Sequence, residues 1–341
     1  MSWPKFWLKP DWRSWLLSPL AWLVCVLARR RLIAFRAAKP TSPGLVIVVG
    51  NIVVGGSGKT PFIQYLVNLL VRQGLKVGII SRGYGGKSSH WPQVVTALSD
   101  PAQVGDEPVL LAKALSCPIV VSPKRAEALA RLNEQFELDV VISDDGLQHY
   151  ALARDIEIVL LDSRRGWHGL GNGLCLPAGP LREPVERLQE VDAIVFNGLT
   201  PSDFVANNEV LVGNMQLRPQ SLYALQDPQQ TRDLTAFSGQ QVYAVAGIGN
   251  PQRFYDTLAE LGVEVKPLAF ADHHAFKPSD FNDLDAEKPL LMTTKDAVKC
   301  QAFARPNWWV LAVQPQCSAE FEQALLMRIL QHPKLQGTST P

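Results

Sequence analysis

Charge of one sign is what this 341-residue chain lacks: 33 Lys and Arg stand against 32 Asp and Glu, a formal net charge of +1. So balanced a surface has no broad basic field to neutralise phosphate backbones, which excludes a nucleic-acid binder working by charge. Paired cysteines are missing too. Cys25, Cys117, Cys175, Cys300 and Cys317 are scattered, odd in number and never spaced C-x-x-C. Neither a disulfide framework nor a zinc site is expected, and a reducing cytosol is the simplest home. There is no internal repeat and no low-complexity segment. The apolar run at 15–28 would reach only about 21 Å as a helix, short of the ~30 Å hydrocarbon core of a bilayer.

What is present is a globular composition, 47% hydrophobic and 19% charged, with room for one large or two ordinary domains. The first forty residues stand apart. Trp3, Trp7, Trp12, Trp15 and Trp22 are five of the nine tryptophans, and Arg29, Arg30, Arg31, Arg36 and Lys39 follow the apolar run. Pro19 is expected to kink that run or mark its first turn. A basic cluster stands where a signal peptide needs small residues. Aromatics at one end and cations at the other suit a helix lying in a membrane interface with its arginines on anionic headgroups. The competing reading is a terminal helix packed on the protein's own core.

After Pro40-Thr41-Ser42-Pro43-Gly44 the pattern becomes α/β. Strands are expected at 45–49, 77–80, 119–121, 140–142, 156–161 and 193–196, with helices at 61–73, 108–115 and 126–135 between them, hence a doubly wound parallel sheet. Residues 163–190, rich in Gly, Pro and Arg, form no regular element. From about 201 a second unit is expected, with strands at 242–246, 263–267, 290–293 and 308–313 and a helix at 253–261. The predicted domains are therefore 1–40 (membrane-anchoring segment), 41–200 (P-loop NTPase-like nucleotide-binding domain) and 201–341 (a smaller α/β domain closing a cleft).

The strongest motif is Val53-Val54-Gly55-Gly56-Ser57-Gly58-Lys59-Thr60, between a predicted strand and helix. Glycines let backbone N–H groups turn toward phosphate oxygens. Lys59 reaches the outer phosphates of ATP, and Thr60 offers a hydroxyl to Mg²⁺. The pattern G-x-x-x-x-G-K-[ST] fails only at Val53. Asp144-Asp145-Gly146-Leu147-Gln148-His149 ends another strand, where such enzymes hold Mg²⁺. Adjacent carboxylates there repel unless a cation is near. Gly105-Asp106-Glu107-Pro108 opens a helix: either carboxylate is a candidate base for a hydroxyl nucleophile, the other lying near the metal, while N-capping is the plainer account. Asp272-His273-His274 offers a histidine to support such a base. Arg182, beside Glu183 in the glycine-rich 169–183 stretch, is placed to clamp a phosphate, with Arg82 and Arg125 as lesser candidates. Gly247-Ile248-Gly249 is too short a fragment to indicate NAD.

Together these segments resemble the tetraacyldisaccharide 4′-kinases, the lipid A 4′-kinases of Gram-negative bacteria. The likeness runs through residues 49–61, 81–85, 105–108 and 144–149, then 171–183, 247–254, 270–276 and 293–296, nearly the whole chain in order. That family also lacks the glycine replaced by Val53. The resemblance implies transfer of the ATP γ-phosphoryl group to the 4′-hydroxyl of a tetraacylated glucosamine disaccharide 1-phosphate, at the cytoplasmic face of the inner membrane. It implies Asp106 as catalytic base assisted by His273, and Lys59, Thr60, Asp144, Asp145 and Glu107 around nucleotide and metal. Arg82, Gln148, His149, Arg182 and Glu183 would then meet the glycolipid. No obligate protein partner is expected. A membrane-associated GTPase or ATPase switch is the rival, though no N-K-x-D guanine-reading segment exists.

Overall fold

A computed structural model of the chain describes residues 3–38, 40–271 and 274–336. Its strands are β1 (Leu45–Gly50), β2 (Val77–Ser81), β3 (Gln93–Val95), β4 (Ile119–Val121), β5 (Val140–Asp144), β6 (Ile156–Asp162) and β7 (Ala193–Asn197) in the first half. The second half adds β8 (Leu211–Ala224), β9 (Thr231–Arg232), β10 (Gln241–Val245), β11 (Glu264–Leu268), β12 (Leu290–Thr293) and β13 (Trp308–Cys317). All belong to one sheet, ordered β11-β10-β12-β13-β8-β7-β6-β1-β5-β2-β4-β3, with β9 against β8. Pairing is parallel except for β3 on β4, β9 on β8 and β8 on β13.

β1 is buried along its whole length because helices cover both sheet faces. Its alternate residues divide between two cores. Leu45, Ile47 and Val49 meet α3 (Lys59–Arg72), whose Phe62, Ile63, Leu66 and Leu70 recur at helical spacing. Val46 and Val48 face the side covered by α6 (Arg125–Gln135), which follows α4 (Pro101–Val104) and α5 (Asp106–Ala114). Two further cores flank the second half, one under α7 (Pro251–Glu260) and one under α8 (Thr294–Cys300).

The strands of the second half, expected as a second unit, continue the same sheet. The 14-residue β8 carries the sheet across. Its residues 211–215 lie parallel to β7, and 215–224 run antiparallel to β13. Pro219, which cannot donate a ladder hydrogen bond, sits opposite a register shift between Ala312 and Val313 that accommodates it. α9 (Ala319–Leu330) then returns to the first core through Phe321, Leu325 and Ile329. Gly213 makes room for it, since a Cβ there would collide with the Phe321 ring.

The N-terminal segment also departs from expectation. After α1 (Lys5–Leu8), α2 (Trp12–Ala38) runs for 27 residues, with Pro19 inside it and not in its first turn, and with Arg29, Arg30, Arg31 and Arg36 toward its end. Among the described residues no helix is long and apolar enough to cross a membrane. Ala21, Leu17, Val24 and Cys25 pack on the second core. This seat brings Cys25 against Cys175, 150 positions away, and the two form a disulfide, correcting the expectation of none. On the outward side Trp12, Trp15 and Trp22 are about 70% exposed. The inner side of this helix thus packs on the protein's own core, as one of the two sequence readings expected.

Candidate active site

β1 delivers the chain into the glycine-rich turn, and α3 starts at Lys59 directly after it. Gly55 and Gly58 have φ of 102° and 91°, a region that excludes most side chains. The buried Asn51 holds the turn from within, donating to the Gly55 carbonyl (2.9 Å) and Ser57 Oγ (3.2 Å). Asn197, at the end of β7, donates to the Ser57 carbonyl at 3.1 Å.

β5 places two carboxylates opposite. Asp144 is buried and accepts from Ser81 Oγ (3.1 Å); Asp145, at φ 50°, faces Lys59 Nζ (3.5 Å) and Arg182 (3.3 Å). Burial, reinforced by Glu107, pushes Asp144 up to about 7 despite Lys59. Burial acts the same way on Asp145, but Lys59, Arg182 and Arg125 outweigh it and hold that carboxyl below its usual range. Asp144 Oδ1 is buried with no hydrogen-bond donor, and Asp145 Oδ1 has only the Lys59 ammonium at 3.5 Å. Two carboxylates so placed suit a hard divalent cation. No group of three His, Cys, Asp or Glu side chains converges among the described residues.

α5 opens beside them. Asp106 lies 3.3 Å from Lys299 Nζ and Glu107 3.1 Å from Lys295 Nζ, both lysines being on α8. α8 is pinned by buried Asp296, which accepts from the Gly247 amide (2.9 Å) and Thr293 Oγ1 (2.7 Å). Glu107, Lys295 and the glycine-rich turn line a cleft whose apolar residues are Leu217, Phe254, Leu311 and Val313 and to which Arg253 and Thr257 add polar groups. Thr60 lines it. Gly249 closes over the turn so tightly that a Cβ there would meet the Gly56 nitrogen at 2.7 Å.

The other predicted residues divide. Gln148 donates to the Asn51 carbonyl (3.0 Å) and to Glu183 (2.6 Å), and Arg182 donates to Gln148 as well as to Asp145. Glu183 lies 1% exposed, held by Gln148, Tyr150 and Arg187. It supports this cluster from below instead of facing a ligand. His149 is half-buried, and burial followed by the charges of Arg125, Arg154 and Arg82 holds its imidazole below the ordinary value. Arg82 is exposed. Arg125 is buried and spends its guanidinium on the Asp144 and Asp145 carbonyls. His273 lies outside the described residues. His274 binds Asp280 at 2.9 Å and packs among phenylalanines.

The family model of the tetraacyldisaccharide-1-P 4′-kinases matches residues 13–330. The chain belongs to this family. It is 53% identical over 334 residues to the tetraacyldisaccharide 4′-kinase of Hydrogenovibrio crunogenus, covering 96% of this chain and 98% of that one. With the Psychromonas ingrahamii enzyme of the same name it shares 47% over 330 residues, 95% and 98% of the two chains. The crystal structure of LpxK from Aquifex aeolicus in complex with ATP superposes with a TM-score of 0.75 at 29% identity, over 93% of this chain and 99% of that one. This tetraacyldisaccharide 4′-kinase family member is thus an ATP-dependent kinase of lipid A synthesis. Sequence reading missed Lys295, Asn197 and Arg253 in its cleft, and Lys299 against Asp106. The signal for the lysines was their spacing of four on a short helix, complementary to Asp106-Glu107.

Proposed function

We propose that residues 54–60 cradle the ATP triphosphate and that Asp106 takes the proton from the 4′-hydroxyl of a tetraacylated glucosamine disaccharide 1-phosphate. One observation carries this reading: the glycine-rich turn and Glu107, next to Asp106 on the first turn of α5, line one cleft, with Asp145 set 3.5 Å from the Lys59 ammonium at its edge. Val54, Gly55, Gly56, Ser57 and Gly58 contribute backbone amides, and Lys59 bears charge that develops on the γ-phosphoryl oxygens. Thr60, Asp144 and Asp145 would hold Mg²⁺, with Glu107 beside them. Bound there, the ion would supply charge neutralisation to the triphosphate.

In the reaction the substrate O–H bond breaks and its proton goes to the Asp106 carboxylate. A new O–P bond forms as the bond from the γ-phosphorus to the ADP oxygen breaks. His273 is assigned to support Asp106. The apolar wall of Phe254, Leu311 and Val313 receives the nucleobase, while Arg82, His149, Gln148 and Arg182 offer a polar face to the glycolipid. Residues 41–200 act as the nucleotide domain and 201–341 as the closing domain, with α9 tying the second back to the first. The outward tryptophans of α2 are suited to the headgroup layer of the inner membrane's cytoplasmic leaflet, with segment 1–40 as the anchor.

The test is Asp106→Ala assayed with ATP and the disaccharide acceptor. Turnover should fall by roughly 10²–10⁴ with ATP affinity nearly intact, as loss of a general base does. Near-normal turnover would remove Asp106 from the role.

A further inference from the structure

The geometry points to Trp3 and Arg165 as positioning residues that tie the N-terminal segment to the phosphate-binding turn. Trp3 Nε1 donates to the Val54 carbonyl at 3.1 Å, the first residue of the turn. The Arg165 guanidinium lies over the Trp3 ring, 5.2 Å from its centroid. The same guanidinium reaches Asp162 Oδ2 at 3.3 Å and donates to the Gly249 carbonyl in the second half of the molecule. A Cβ at Gly55 would meet Arg165 Nη1 at 2.7 Å, so the arginine rests directly on the turn. Asp162 is buried, and Asn250 donates to it at 3.0 Å. One guanidinium thus joins N-terminal segment, turn and closing loop.

A second route reinforces the first. Trp7 Nε1 donates to the Pro177 carbonyl (3.0 Å), and Asn172 Nδ2 donates to the carbonyls of Phe6 (2.8 Å) and Ala178 (2.9 Å). The loop so gripped hands its Pro180 carbonyl to the Val54 amide at 3.0 Å. A change in the seat of residues 3–8 therefore reaches Val54 through both its carbonyl and its amide. Amides that bind phosphate act by being held in place beforehand, so loosening them weakens nucleotide binding without touching the acceptor.

The proposal rests on reading residues 54–60 as the phosphate-binding turn, and Lys59→Ala serves as the control for that reading. Trp3→Phe keeps an aromatic face under Arg165, though a smaller one, and removes the N–H donor. ATP KM should rise about five-fold, the size of one net hydrogen bond. Arg165→Met, which loses ion pair, stack and carbonyl contact together, should raise it by about ten-fold or more, and Arg165→Lys should recover part of the loss. In each variant the glycolipid KM and vesicle partition should stay near wild type, and so should the melting temperature of Trp3→Phe, while Arg165→Met, which takes the cation from the buried Asp162, should melt lower and Arg165→Lys in between. Unchanged ATP KM in both Trp3→Phe and Arg165→Met would overturn the tie. So would glycolipid KM rising in step with ATP KM, which would mean a role in anchoring alone. Full ATP affinity in Lys59→Ala would bring down the reading of the turn, and the tie with it.

Discussion

Lys299 is one of two cations by which α8 meets the start of α5, and its removal has a calculable cost. It stands 3.3 Å from Asp106, each side chain 11% exposed, and 3.6 Å from the fully buried Asp296. At an effective dielectric constant of about 20, unit charges at the first distance attract by about 5 kcal/mol, an upper bound. Desolvation of both partners reduces the net worth, and removing one member of a mostly buried pair costs about 3 kcal/mol. Lys299→Met should therefore lower unfolding free energy by about 3 kcal/mol in urea titrations, because two carboxylates lose their shared counter-charge. The structure also says where that loss goes. Burial already raises the Asp296 carboxyl and Lys299 opposes it, so part of the penalty stays with Asp296 when Asp106 is neutralised. In a double-mutant cycle with Asp106→Asn, the coupling should be about 1–2 kcal/mol, less than the single loss. Turnover of Lys299→Met should fall while ATP binding, measured by calorimetry, changes little. A coupling below about 0.5 kcal/mol would refute the argument that this pair joins α5 to α8.

Asp144→Asn should raise the Mg²⁺ concentration needed for half-maximal turnover by about ten-fold or more, read from a metal titration at saturating ATP. Trp15→Ser with Trp22→Ser should reduce partition onto phosphatidylglycerol vesicles by at least about ten-fold in sedimentation, and leave turnover in detergent intact. His149 has a depressed folded-state value, so the unfolded chain binds its proton first as pH falls. This contribution to stability is present above the ordinary imidazole value of 6.5 and is lost as pH drops below it, and His149→Gln should flatten that part of a melting-temperature profile.

How much could be read in advance varied with how local the cause was. Ile119–Val121 and Leu290–Thr293 were legible to the residue because short β-branched or apolar runs buried on both faces carry their own signature. β8 was missed, since half of it faces solvent and Pro219 interrupts its pattern. β3, three residues long at the sheet edge, and α9 were also missed. Within the site, Lys59, Asp144 and Asp145 announced themselves because turn and strand-end chemistry is written in consecutive residues. Glu183 did not reveal that it would be buried, for that depends on Tyr150 and Arg187 arriving around it.

Taken alone, the order of residues determined the local parts: a glycine-rich turn ahead of a helix, carboxylates at a strand end, an aromatic and cationic first segment, and a family likeness along nearly the whole chain. Tertiary structure decided the rest. It made one sheet of two expected units, joined Cys25 to Cys175, set Lys295 and Lys299 against Glu107 and Asp106, and laid Trp3 and Arg165 on the turn. The physical reason is reach. Backbone conformation and periodicity are settled among neighbours, whereas ion pairs and packing depend on which distant segments the buried sheet brings within a few ångströms.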